Sequence, residues 1–267
     1  MKAIQIESLP GISHIILNRP SALNAINEEM ISEINHMMTE ISEDDKVRCV
    51  IISGAGRCFS SGYDLKESAQ RETTGREEWE QVLKKDFEFV MQFWNCKKPT
   101  IAAVYGYCLA GAFELAMACD LTIASESAMF GMPEVRFGSG IVAMLAPWVT
   151  GPKQAKELLL TGHDKFSADY CYKIGVVNRV VEDGLLIKTA IEVAQQIASS
   201  SARSVQLTKA AINKSYEMSS MREALLAALE IDIQIESDES PERLEFNRIR
   251  KNRGLQAALE WQDNKFN

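Results

Sequence analysis

The chain has 267 residues, 46% of them hydrophobic, with 29 basic against 37 acidic side chains and a formal net charge of −8. That length suits one large domain, or a domain with a short helical extension, and supplies ample apolar material for a core. The acidic balance argues against a general nucleic-acid role, and no run of about 20 apolar residues offers a membrane span.

The first seven residues, Met1-Lys-Ala-Ile-Gln-Ile-Glu7, read as the start of a strand and not as a signal peptide. Strands are expected over 3–7 and 13–17. Asn27 precedes a stripe of Met30, Ile31, Ile34, Met37, Met38 and Ile41, and is the expected N-cap of the first helix. A buried strand is expected over 47–53. Residues 66–75 are charged and carry Thr-Thr-Gly, so they are expected to be mobile. A helix follows over 76–94, a strand over 100–104, a helix over 112–119 and a strand over 121–124. From Gly151 the pattern is mostly helical, over 154–160, 168–174, 185–199, 205–216, 221–236 and 242–262. The six cysteines are scattered without a C-x-x-C pair, which suits reduced core thiols in a reducing, cytoplasmic setting.

Two glutamates stand out. Glu114 is the one charged residue in an apolar helical run, and Glu134 follows Phe130-Gly-Met-Pro133. Carboxylates in apolar settings are costly, and a pair of them suggests proton chemistry. Gly111 falls at the start of the helix that carries Glu114, where a backbone N–H has no intrahelical acceptor. Gly62 gives a second such turn and makes the N–H of Tyr63 a second donor. Two donors from different loops can converge on one developing oxyanion. The three histidines (His14, His36, His163) lie far apart without ligand spacing, so no metal site is expected. Neither a G-x-S-x-G elbow nor a phosphate-binding glycine motif is present.

Five stretches carry a resemblance: Asn18-Arg-Pro-Ser-Ala-Leu-Asn-Ala25, Phe59-Ser-Ser-Gly-Tyr-Asp-Leu65, Lys98-Pro-Thr-Ile-Ala-Ala-Val-Tyr-Gly106, Glu114-Leu-Ala-Met-Ala-Cys-Asp120 and Phe130-Gly-Met-Pro-Glu134. Leu160-Thr-Gly162, Ser167-Ala168 and Gly175-Val-Val-Asn178 extend it. The chain resembles the crotonase superfamily, also called the enoyl-CoA hydratase/isomerase family. The resemblance implies an α/β spiral of repeated ββα units over 1–200. A C-terminal helical region over 201–267 would serve oligomerisation and cover the pocket. It implies Glu114 and Glu134 as catalytic residues and the N–H groups of Tyr63 and Gly111 as the oxyanion hole. The CoA-binding positions it points to are Arg19, Ala22, Leu23, Gly62, Asp64 and Lys66, and Arg57 and Lys98 are further cations beside these loops. The implied substrate is an acyl-CoA thioester that brings its own CoA, with no separate cofactor, and the implied assembly is a homotrimer or hexamer.

The pattern departs in four places. Ala110-Gly111-Ala112 stands where three glycines are common, and Tyr63 where a small residue is common. Gly138-Ser-Gly-Ile-Val-Ala-Met-Leu-Ala-Pro147 replaces a glycine-rich loop, and 238–253 looks like an insertion before the usual terminal segment 254–266. The implied reaction is reversible syn addition of water to a trans-2-enoyl-CoA. Enoyl-CoA isomerisation or decarboxylation is the alternative, and an acyl-CoA-binding scaffold without turnover is a third reading.

Overall fold

In the computed structural model, residues 1–71, 73, 75–238 and 240–265 are described. An antiparallel pair, β1 (Ile4–Leu9) and β2 (Ile12–Leu17), opens the chain, and α1 (Glu28–Glu43) follows, with the Asn27 side chain accepting from the Met30 amide. Next come β3 (Cys49–Gly54), the short α2 (Leu65–Gln70) and the long α3 (Gly75–Asn95). Then β4 (Thr100–Val104), β5 (Tyr107–Leu109), α4 (Gly111–Ala118), β6 (Leu121–Ser125) and β7 (Met129–Gly131) lead to a 3₁₀ turn at Glu134–Phe137. The remainder is α5 (Ala146–Val149), α6 (Pro152–Leu160), β8 (Phe166–Ser167), α7 (Ala168–Lys173), β9 (Arg179–Val181), α8 (Leu186–Ala198), α9 (Ala202–Met218), α10 (Met221–Ser237), α11 (Pro241–Arg253) and α12 (Leu255–Asp263).

The strands form a six-stranded sheet in the order β1-β2-β3-β4-β6-β9 and a three-stranded sheet in the order β5-β7-β8. The spiral arises because each turn of chain gives one strand to each sheet. β4 passes to β5 and β6 passes to β7, while β3 passes to Ser60, which bridges Cys108 of β5. Alternation along the strands divides the interior. Val50, Ile52, Ala102, Val104 and Ala124 face the main core with α1, α3 and α4, whereas Ile51, Ile101, Ala103 and Ile123 face Ala190, Val193 and Ala194 of α8. Residues buried on both faces make the near-continuous apolar runs typical of parallel strands.

Two expectations need correction. The stretch 66–75 is not simply a mobile loop, because Asp64 caps a helix there by accepting from the amides of Lys66 and Glu67; residues 72 and 74 lie outside the described residues. The helix expected over 242–262 is two helices, broken at Gly254 with φ 89°. The insertion-like 238–253 is largely α11, which packs Phe246 and Ile249 on Ala258 of α12. Residue 266, at the end of the terminal segment noted above, is outside the described residues. No helix among the described residues is long and apolar enough to cross a membrane.

One ion pair ties the helical region to the sheet. Lys209 of α9 is buried, and its Nζ lies 2.6 Å from Asp120 Oδ2. The same carboxylate accepts from Thr100 N at 2.7 Å and Thr100 Oγ1 at 3.0 Å, at the start of β4. Lys209→Met removes the buried cation from a carboxylate that is itself a quarter exposed and keeps its bonds to Thr100, a change worth about 1 kcal/mol. Chemical denaturation should show a loss of that size, and a midpoint equal to wild type would make the clamp dispensable.

Candidate active site

The three parts of the site sit at the ends of consecutive turns of the spiral. Tyr63 follows the Ser60 bridge, Gly111 follows β5, and Glu134 follows β7. Tyr63 itself forms a parallel bridge with Ile26, in which Ile26 N donates to Gly62 O at 2.8 Å and Asp64 N to Ile26 O at 2.9 Å. That pattern uses the groups of Gly62 and Asp64 and turns the N–H of Tyr63 away from Ile26. Gly111 is the first residue of α4, so its N–H is among the free amides of a helix start.

The two amides are neighbours because Gly62 lets them be. Its φ is +88°, and a Cβ there would lie 2.8 Å from Leu109 O and 3.4 Å from Gly111 N. Ala110, the N-cap of α4, has φ 54° and ψ −133°. A non-glycine residue in that region is strained by about 1–3 kcal/mol. Its ψ sets the plane of the following peptide, so the strain orients the N–H of Gly111. The Tyr63 ring lies on the α-carbon of Gly111, where an added Cβ would fall 2.3 Å from Tyr63 Cε2.

Every residue of α4 is buried, Glu114 included at 1% exposure. Glu134 is half-buried as a residue because its turn is at the surface, yet its Oε2 is closed off from solvent. One carboxyl oxygen of each glutamate has no hydrogen-bond partner. Burial raises the pKa of Glu114 well above the usual carboxylate range, and the charge of Glu134 raises it further. Burial likewise pushes Glu134 up to about 8. Both carboxyls are therefore held toward their neutral forms, chiefly by burial.

Sequence reasoning missed two further carboxyls that face the same space. Asp86 of α3 and Asp232 of α10 are buried, and burial lifts each to about 7. The charges of Glu114, Glu134, Asp86 and Asp232 all bear on the Tyr63 hydroxyl, which donates to Asp86 O at 3.3 Å. A signal existed. Asp86 falls between Leu83 and Val90, and Asp232 between Leu229 and Glu236, at the helical spacing of the buried stripe.

The positions read as CoA-binding gather on one rim. Arg19, Ala22 and Leu23 belong to the loop that docks on Phe59–Asp64, and Asn24, not singled out from sequence, holds it. Its Nδ2 donates to Ala55 O, Cys58 O and Phe59 O at 2.8–3.1 Å. Arg19 is engaged inside the protein, with Nη1 2.9 Å from Asp64 Oδ2 and 2.5 Å from Ala25 O. Lys66 and Arg57 are exposed. Lys98, expected among the flanking cations, is instead buried, because the backbone around it turns into β4.

Comparison with known proteins gives the family. Residues 7–266 match the family described as enoyl-CoA hydratase/isomerase. The chain belongs to that family. It is 37% identical over 214 residues to a short-chain-enoyl-CoA hydratase of Clostridium acetobutylicum, covering 78% of this chain and 80% of that protein. It is also 37% identical over 232 residues to a mevalonyl-coenzyme A hydratase of Aspergillus fumigatus, covering 83% and 82%. Among solved structures, an enoyl-CoA hydratase/isomerase from Xanthobacter autotrophicus Py2 superposes with a TM-score of 0.97 at 48% identity, over 99% of this chain and 98% of that one. The crotonase fold expected from sequence is thus the fold of this chain.

Two predictions come from this geometry. Gly111→Ala forces the Tyr63 ring off the helix start, so turnover should fall by about 10²-fold, the scale of a lost oxyanion donor, and Tyr63→Ala in the same chain should restore part of it. Equal loss in the single and double variants would rule out the clash as the cause. The second concerns stability. Burial lets Asp232 keep its proton to about pH 7 in the folded chain, against 3.8 for an unperturbed aspartate. Between those values the folded state binds more protons, so stability falls as pH rises through the window. Asp232→Asn should remove up to about 1.4 kcal/mol per pH unit of that slope, measured by calorimetry from pH 4 to 7. An unchanged slope would mean that Asp232 is ionised in the folded protein.

Proposed function

We propose that this protein is an enoyl-CoA hydratase that adds water reversibly and syn to a trans-2-enoyl-CoA. The observation that carries the reading is the pair of buried glutamates set beside two free loop amides. The thioester oxygen accepts from the N–H groups of Tyr63 and Gly111, which bear the charge of the enolate. Glu114 holds a water and takes its proton as it attacks C3, and Glu134 delivers a proton to C2. Burial that raises both carboxyls suits this, since an acid and a base must each work near neutral pH.

The CoA portion lies along the rim formed by Arg19, Ala22, Leu23, Gly62 and Asp64. Lys66 meets a phosphate, while Arg19 holds the loop through Asp64. The chemistry needs no cofactor beyond the CoA that the substrate carries. A homotrimer or hexamer is supported by exposed Leu207, Ile212, Leu226, Ile231 and Leu244 on α9–α11, an apolar surface of the kind subunits cover. Six buried, unpaired cysteines favour a reducing, cytoplasmic setting. The names of the relatives range from short-chain to mevalonyl groups, so membership in the family leaves the acyl group open.

The test is the ultraviolet absorbance of crotonyl-CoA with purified protein. Loss of the conjugated signal with formation of 3-hydroxybutanoyl-CoA supports hydration, and conversion of a 3-enoyl-CoA without water addition would place the chain with the isomerases. Glu134→Gln should reduce turnover about 10²–10⁴-fold while acyl-CoA binding persists, and the alkaline fall in rate that Glu134 causes above about pH 8 should disappear with it. Unchanged turnover would remove Glu134 from the mechanism.

A further inference from the structure

Ser53 and His14 form a buried, hydrogen-bonded pair that the hydratase chemistry does not use. Strand register puts them there. Glu7 of β1 stands directly opposite His14 of β2, and His14 stands opposite Ile51 of β3, two residues before Ser53. Opposed residues share a face, and so do residues two apart on one strand. Ile12 and Ile51 belong to the cluster under α8, so Glu7, His14 and Ser53 lie on that face too. Helix α4, which carries Glu114, packs on the other face, and the six-stranded sheet stands between the two groups.

The three side chains stand in line. His14 Nε2 is 2.7 Å from Ser53 Oγ, and Glu7 Oε2 is 3.4 Å from His14 Nδ1, which makes no hydrogen bond. A carboxylate beside Nδ1 favours the tautomer with its proton there. Nε2 is then an acceptor, and Ser53 donates its hydroxyl proton to it. This order of acid, imidazole and hydroxyl is what activates a serine, and it is recognised by geometry rather than by sequence motif. Burial holds the His14 pKa below the usual imidazole value although Glu7 pulls it up, so the ring is free to take a proton near neutral pH.

The group opens to a cavity. Glu7, His14 and Ser53 line a space of about 430 Å³ beside the ends of β3, β4 and β9, together with Tyr105, Asp183, Leu186 and Ile187. Leu186 and Ile187 are the first residues of α8, whose start no side chain caps, so the positive end of that helix borders the space where charge would develop on a carbonyl oxygen. Glu7 and Asp183 make the rim acidic, and among the described residues no lysine or arginine lines the cavity. That charge repels an anionic CoA thioester, and the volume suits a small molecule.

We propose that Ser53 is a second nucleophile of this protein, activated by His14 and kept in line by Glu7, and that it accepts the acyl group of a small uncharged carboxylic ester. Ser53 Oγ bonds to the acyl carbon as its proton passes to His14 Nε2. The bond from that carbon to the leaving oxygen breaks, and the alcohol departs with the proton. Water then gives a proton to Nε2 and bonds to the acyl carbon. The Oγ–carbon bond breaks, Ser53 recovers the proton, and the carboxylic acid leaves. His14 and Ser53 touch the reacting atoms, whereas Glu7 is a positioning residue.

The experiment treats the full chain with diisopropyl fluorophosphate, locates the adduct by peptide mass spectrometry and follows hydrolysis of p-nitrophenyl acetate alongside. Wild type should carry its adduct on Ser53 and lose ester hydrolysis as the adduct forms. Ser53→Ala should remove both while crotonyl-CoA turnover stays at the wild-type level. His14→Gln should slow labelling about 10²-fold, the scale of a lost general base. Glu7→Gln should slow it less, by about 10-fold, because that side chain is 62% exposed and its charge is screened. That surface change also keeps the test decisive if the His14 variant does not fold. Absence of an adduct on Ser53, or labelling at one rate in wild type and the Glu7 and His14 variants, overturns the proposal and leaves the pair a structural hydrogen bond. Loss of crotonyl-CoA turnover in Ser53→Ala would likewise overturn it, by showing that the two groups do not act separately.

Discussion

The dehydration of Glu114 is the constraint on which the rest of the site depends. Its helix is buried on every side, so the carboxyl is shut off from bulk solvent and one oxygen has no hydrogen-bond partner within the protein. A group in that state is forced toward its neutral form and responds strongly to any nearby charge. Glu134 comes from a turn at the surface, and its charge still bears on Glu114. The apolar interior is therefore what lifts two ordinary carboxyls above the usual carboxylate range.

The geometry is held by backbone and not by bulk. Gly62 and Gly111 bring two loops into contact, strained Ala110 aims one amide, and Asn24 fastens a third loop beneath them through three carbonyls. These contacts come from successive turns of one spiral, so a shift in any strand moves a donor relative to an acid. The Lys209–Asp120 clamp closes the other end, fixing α9 at the start of β4, five residues before the chain turns toward β5.

Much of this was legible in the sequence, for physical reasons. Glu114 was conspicuous because a lone charge interrupts an apolar run, and Gly111 because helices have free amides at their starts. The strand at Thr100–Val104 and the Asn27 cap were read from local chemistry that the fold did not override. The short strands β5, β7, β8 and β9 were not read, since two or three residues carry no periodicity. The helix over 242–262 hid its break because one glycine in a polar helix is tolerated by pattern alone. Asp86 and Asp232 were missed because a carboxyl on an apolar stripe looks like one exposed position until the facing helix is known. Lys98 was misplaced for the same reason, as burial of a lysine depends on what covers it.

Helix α10 is a wall one helix thick. Asp232, Ile233 and Glu236 are buried, while Ile231 is exposed. An α-helix with its side chains is about 10 Å across. Anything seated on the outer face of α10 is thus one helix away from the cluster that Leu229 and Ile233 form with Leu83, Val142 and Tyr63. The outside of this molecule and the packing that holds the Tyr63 ring are two sides of the same turn of helix.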